Sequence, residues 1–254
     1  MKRAALALLL FGFGMLVPSA APAAVMLEVP ATPGTEAIPI YVARPEGNGP
    51  FPTVLLLHGC GGFDGRLAVA ADLLAQHGMV GVALDSLGPH GFNGACGPDD
   101  NGEPGESSAA RAVLTWLRTQ PYVAANRLAL LGFSMGADAA LDLIEGHATP
   151  PGLRAAVAYY PACERRDGLA DVPVAIFDGS ADQITPAVPC AAMVKAGTAA
   201  GKTLTITTYP NATHGFDVPG PDRILFGQPM HFDPDATRDA AFQTFRFLVR
   251  YLGP

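Results

Sequence analysis

The stretch 53–57, "TVLLL", constrains this chain most. It stands between Pro52 and His58-Gly59 with no regular alternation of apolar and polar positions. A strand with one face in water alternates, whereas one covered on both faces reads as a continuous apolar run. Parallel neighbours of such a strand need crossover connections, usually helices, and the flanking segments supply them. A helical stretch, 67–77, stops at Gly78 and leads into a second buried strand, 79–84. The loop 88–105 is rich in Gly, Pro and Asn. Beyond it, Ser107 or Ser108 can cap a helix with Ala110, Val113, Leu114 and Leu117 on one face, ending before Pro121.

The alternation continues. Strand 127–131 precedes helix 137–145, with Gly146 as its stop. Strands 154–158 and 172–177, helix 187–200 and strand 203–209 follow. The last helix is capped by Asp235, carries Ala241, Phe245, Leu248 and Leu252 at helical spacing, and ends at Gly253. Two short strands, 25–29 and 38–43, come first. The fold class is α/β: a mostly parallel central sheet with helices on both faces, whose sites lie at the carboxyl ends of strands. The chain has 254 residues, 49% of them hydrophobic and 15% charged, enough for the core of one domain over 24–254. The connection 219–235 is long enough to suggest a functional role.

The first residues read as a secretory leader. Lys2 and Arg3 form a basic start, 4–17 is apolar, and 18–24 is rich in small residues. Cleavage is expected after Ala23, with Ala21 as the alternative. The apolar run is shorter than the roughly 20 residues a spanning helix needs, so no stable membrane insertion is expected after cleavage. The protein is expected to be periplasmic or secreted. Its net charge is −7, about −9 without Lys2 and Arg3, and no Lys/Arg-rich block is present, which argues against nucleic-acid binding. The four cysteines, 60, 96, 163 and 190, form an even set in an oxidising compartment. Of three possible pairings, Cys60–Cys96 and Cys163–Cys190 tie neighbouring loops together and are preferred. None has zinc-ligand spacing, and no metal is expected.

Chemistry concentrates at "LALLGFSMGADAA", 128–140, where Ser134 stands between Gly132 and Gly136 as a strand becomes a helix. A sharp turn there exposes the hydroxyl and aims the next backbone N–H at a reacting carbonyl. A serine nucleophile needs a histidine base and an orienting carboxylate, in the chain order Ser, acid, His. His214, in the loop "YPNATHGFD" after strand 203–209, leads over His231. For the acid, "DGSADQITP" offers Asp182 in the loop. Asp178, nearly inside the strand, is the main alternative and Asp217 stands behind it. The glycine-rich "HGCGGFDG" after "TVLLL" suits an oxyanion hole, from the N–H groups of Cys60 and Met135. His58 is expected to be buried and hydrogen-bonded, supporting that loop without taking part in chemistry. Phe63 and Phe216 are expected to touch substrate.

Together, "LLLHGCGG", "GFSMG", "DGSADQITP" and "THGFD" resemble the dienelactone hydrolase family of α/β-hydrolases across nearly the whole mature chain. The resemblance implies an α/β-hydrolase fold, a Ser134–Asp182–His214 triad and no cofactor. The family's archetype is a cytosolic carboxymethylenebutenolidase with a cysteine nucleophile. Here serine takes that place, His58-Gly59 stands near the archetype's glutamate, and "GFDVPG" after His214 lacks its substrate-binding arginine. With a leader present, these differences point to an exported esterase acting on small or medium carboxylic esters or lactones. A peptidase or acyltransferase would use the same triad, and a non-catalytic binding protein could share the fold.

Overall fold

The computed structural model describes residues 23–32, 36–91, 94–96, 105–145 and 149–253. Residues 1–22 of the expected leader, 1–23, and the helix stop at Gly146 lie outside the described residues. The apolar runs form one eight-stranded sheet: β1 (Ala23–Val29), β2 (Ile38–Arg44), β3 (Phe51–Leu57), β4 (Val80–Leu84), β5 (Val123–Phe133), β6 (Leu153–Tyr159), β7 (Val174–Gly179) and β8 (Leu204–Tyr209). Their order is β1-β2-β4-β3-β5-β6-β7-β8. β1 pairs antiparallel with β2, and β2 with β4; all other pairings are parallel. β1 opens on Ala23, beside Arg44, at the residue after which cleavage is expected.

Among the described residues five α-helices cover the sheet: α1 (Gly65–Gln76), α2 (Glu106–Leu117), α3 (Met135–Asp142), α4 (Ala187–Ala199) and α5 (Pro234–Leu252). β3 explains the two layers. Val54, Leu55, Leu56 and Leu57 are all fully buried. Leu55 and Leu57 pack into the cluster beneath α2, α3 and α4, whereas Val54 and Leu56 pack into the one beneath α1 and α5. Each such side chain contributes about 1.5–3 kcal/mol by leaving water, so the run needs both layers. The chain goes from β3 to β4 on one side, then returns to β5 on the other. This reversal between β3 and β5 marks where an open α/β sheet forms its crevice.

Helix starts differ from expectation in two places. α2 begins at Glu106 after Gly105, with no side-chain cap, instead of after Ser107 or Ser108; the Ser107 hydroxyl donates across to Asp142. α5 is capped two residues before Asp235: Asp233 accepts from the N–H groups of Asp235 and Ala236, and Pro234 takes the first helical position. Within 219–235 the structure adds a hairpin, β9 (Arg223–Leu225) and β10 (Gln228–Met230). Its tip, Phe226-Gly227, has φ of 50° and 76°, the left-handed pair that a tight hairpin turn requires. Both expected disulfides are present, Cys60–Cys96 and Cys163–Cys190. Among the described residues no helix is long and apolar enough to cross a membrane.

Candidate active site

Ser134 sits between the end of β5 and the start of α3 with φ 51° and ψ −118°. A non-glycine residue rarely adopts this conformation, and here neighbouring backbone holds it. Its N–H donates to the Tyr159 carbonyl at 2.9 Å, and its own carbonyl accepts from Ala137 and Asp138. The flanking glycines are a steric requirement. A Cβ on Gly132 would lie 2.1 Å from the Gly136 carbonyl oxygen, and one on Gly136 would lie 2.4 Å from that of Leu57. Arg166 braces α3 from below through Asp142 at 2.9 Å and Glu145 at 2.8 Å.

From Ser134 a line of hydrogen bonds crosses the carboxyl ends of β7 and β8. Ser134 Oγ is 3.0 Å from His214 Nε2, and His214 Nδ1 is 2.8 Å from Asp182 Oδ2. His214 and Asp182 are 3% and 5% exposed, so water barely competes for these bonds. The other Asp182 oxygen accepts from the N–H groups of Ile184 and Thr185. Three donors into one carboxylate fix its plane toward the imidazole.

Two further residues complete this side, neither marked for it by a motif in the sequence. The Thr185 hydroxyl lies 3.1 Å from Asp182 Oδ2, 3.0 Å from the Tyr160 carbonyl and 3.0 Å from His214 Nδ1. Tyr160 has φ 43°, and its ring lies 4.6 Å from the imidazole. Its hydroxyl donates to Asp217 at 2.6 Å. Burial pushes the Asp217 carboxyl up, against the opposing pull of Tyr160 and Arg66. The sequence signal for Thr185 is its place three residues after an acid in a loop, too common a pattern to single out.

The loop after β3 meets the turn from the other side. A Cβ on Gly59 would lie 3.5 Å from Ser134 Cβ, so Cys60 follows directly beside the turn. Met135 opens α3, and the first N–H groups of a helix have no intrahelical acceptor. The loop is tied down three ways. Cys60 is bridged to Cys96, and the Ala95 N–H donates to its carbonyl. His58 is fully buried; Ser86 N–H donates to its Nε2, so Nδ1–H donates to the Gly59 carbonyl at 2.8 Å. Burial lowers the pKa of this imidazole.

The remaining candidates fall elsewhere. His231 is half exposed and pairs with Asp222 on the hairpin at 2.9 Å. Asp178 lies within β7, fully buried, and neither carboxyl oxygen has a hydrogen-bond partner among the described residues. Phe63 is half-buried against the α1/α5 cluster. Phe216 requires a correction: it has no exposed surface and packs among Tyr159, Tyr160 and Tyr209. Its carbonyl is held by Asp233 and Thr237, which fixes the ring in the core instead of the crevice. Among the described residues no group of three or more His, Cys, Asp or Glu side chains is placed to hold a metal.

Fold and site together define an α/β-hydrolase: a mostly parallel sheet with a serine on the sharp turn after its central strand. The chain belongs to the dienelactone hydrolase family, whose model matches residues 38–252. No curated protein matches it. Among solved structures, one described as a dienelactone hydrolase from Klebsiella pneumoniae is similar, with a TM-score of 0.73 and 21% identity, over 91% of this chain and 100% of that one. Esterase 2 of Thermogutta terrifontis, with propionate bound, has a TM-score of 0.67 and 18% identity, over 92% of this chain and 96% of that one. The same esterase phosphorylated by paraoxon gives the same values. At these identities the likeness is one of fold.

Proposed function

We propose that this chain is an exported serine hydrolase that cleaves carboxylic esters or lactones through an acyl-enzyme. The observation that carries this is the unbroken hydrogen-bonded line Ser134–His214–Asp182 at the crevice of the sheet. Ser134 Oγ attacks the ester carbonyl while its proton passes to His214 Nε2. The Cys60 and Met135 N–H groups hold the oxyanion. As the tetrahedral intermediate collapses, the C–O bond to the alcohol breaks and His214 returns the proton to the leaving oxygen. Water then gives its proton to His214, attacks the acyl carbon and frees the acid, restoring the Ser134 hydroxyl. Asp182 keeps Nδ1 protonated and stabilises the imidazolium. Thr185 and Tyr160 act as positioning residues for that pair.

Export is supported by the leader-like first 23 residues and by two disulfides. Esterase 2 of T. terrifontis is phosphorylated by paraoxon, and Ser134 is proposed to react likewise with organophosphorus reagents. The test is hydrolysis of p-nitrophenyl acetate by the mature protein beside Ser134→Ala, with labelling by a fluorophosphonate. Loss of at least 1,000-fold in kcat/KM, with label on Ser134 of the parent only, is expected (~4 kcal/mol of barrier). Labelling at another residue, or a Ser134→Ala variant as active as the parent, refutes the assignment.

A further inference from the structure

α1 and α5 share one face of the sheet without closing over it. Between them, above Leu131 and Tyr159, lies a cavity of about 620 Å³. Its walls are one stripe of each helix, Leu67, Ala70 and Leu74 on α1 and Ala241, Phe245 and Leu248 on α5. Val69 and Leu73 stand at its lip, 58% and 50% exposed. The polar side chains along the walls are already engaged. Thr237 donates within its own turn, Thr244 bonds the Tyr159 hydroxyl, and His77 bonds the Leu73 carbonyl. The His77 ring also meets Phe245 at 4.8 Å, at the far end. An apolar occupant therefore loses nothing against these walls, whereas a polar one finds few partners.

The near end borders the candidate active site, although Ser134 and His214 do not themselves line it. Gly59, from the oxyanion loop, and Phe133, the residue before Ser134, both line it. So do Asp217, bonded to Tyr160 beside His214, and Arg66, paired with Asp64. Polar and charged groups thus collect at the end nearer Ser134, and the apolar walls lead away from it. The lining residues of α1 run from Gly65 to His77, a span of roughly 18 Å at the helical rise.

Resting on the hydrolase assignment above, we propose that this cavity is an acyl-chain site. An ester would place its carbonyl at Ser134 and lay an unbranched apolar acyl chain between α1 and α5. The substrate class is then medium-chain esters.

The experiment measures kcat/KM for p-nitrophenyl acetate, butyrate, hexanoate and octanoate. The proteins are the parent, Ala241→Trp, which fills the groove from α5, and Leu73→Glu, which charges the opposite lip. In the parent, kcat/KM is expected to rise about fourfold per methylene. In each variant the octanoate-to-acetate ratio is expected to fall at least tenfold. Leu73 is half exposed, so its replacement keeps the test valid where Ala241→Trp fails to fold. A parent that prefers acetate, or variants that keep the parent's ratio, would overturn the proposal. So would a dimer, seen by sedimentation, that either substitution dissociates with the ratio unchanged, since the groove would then seat a second copy. Fluorophosphonate labelling of Ser134 in the parent separates the two levels. Labelling without chain-length preference sinks only the acyl site, whereas no labelling sinks the serine hydrolase beneath it.

Discussion

Asp178 carries a carboxyl with no exposure and no hydrogen-bond partner among the described residues, four positions before Asp182. Burial, and then the Asp182 charge, push it up to about 8. An unfolded chain holds an aspartate near 3.9. Between pH ~4 and ~8 the native state therefore binds one proton more than the unfolded state. Stability falls through that window by about 1.4 kcal/mol per pH unit, with the loss absent below it and complete above it. At pH 7 the cost is about 4 kcal/mol, and at pH 5 about 1.5 kcal/mol. Asp178→Asn removes the titration and buries an amide without partners, at roughly 1–3 kcal/mol. The variant should thus be more stable than the parent at pH 7 and level with it or weaker near pH 5. Urea unfolding of both proteins at pH 5, 6, 7 and 8, disulfides intact, measures the difference. A stability gap that does not change with pH would show that Asp178 does not take up a proton on folding, and the reasoning would fail.

Two other perturbations follow from the geometry. Thr185→Val removes a hydroxyl that touches Asp182, His214 and the Tyr160 carbonyl; kcat for the acetyl ester should fall about tenfold to a hundredfold with KM little changed, read from steady-state kinetics. Replacing Cys60 and Cys96 together by serine opens a loop of sequence separation 36 and should cost up to about 4 kcal/mol of stability. It should also lower kcat, because the loop after β3, proposed to hold the oxyanion, loses a tether. The equivalent change at Cys163 and Cys190 should lower the melting temperature with a smaller effect on kcat.

Much of this architecture was legible because burial and conformation leave marks in sequence. The doubly covered β3 is a bare apolar run, and the turn at Ser134 needs two glycines whose Cβ atoms would strike backbone. His214 leads on paper because chain order discards the earlier histidines, His147 ends the helix leaving Ser134, and His231 falls in an irregular stretch. Helix starts were harder: Asp233 and Asp235 are equally good caps on paper, and only the path from Phe216 decides between them. The β9–β10 hairpin left no periodic trace, since its strands are only three residues long and a single residue of the six, Met230, is buried. For Phe216, nearness to His214 in the chain says nothing about which side of the loop the ring takes, and the ring goes to the core. The groove between α1 and α5 was invisible, because an apolar helix face reads the same whether it meets a helix or a space.

The way the hairpin is hung has a consequence for how this scaffold can diversify. The His231 N–H donates to the Thr213 hydroxyl, which in turn lies against the His231 carbonyl, and the Asp233 N–H donates to the Phe216 carbonyl. On the hairpin's side these moorings are backbone atoms, indifferent to side-chain identity. Ile224 and Phe226, 70% and 54% exposed, take no part in them; Met230, buried against Gly215, is the exception. The segment behaves as an interchangeable fitting in a fixed socket. Substitutions at its tip can reshape the hairpin's own surface while the imidazole stays where Asp182 and Thr185 hold it.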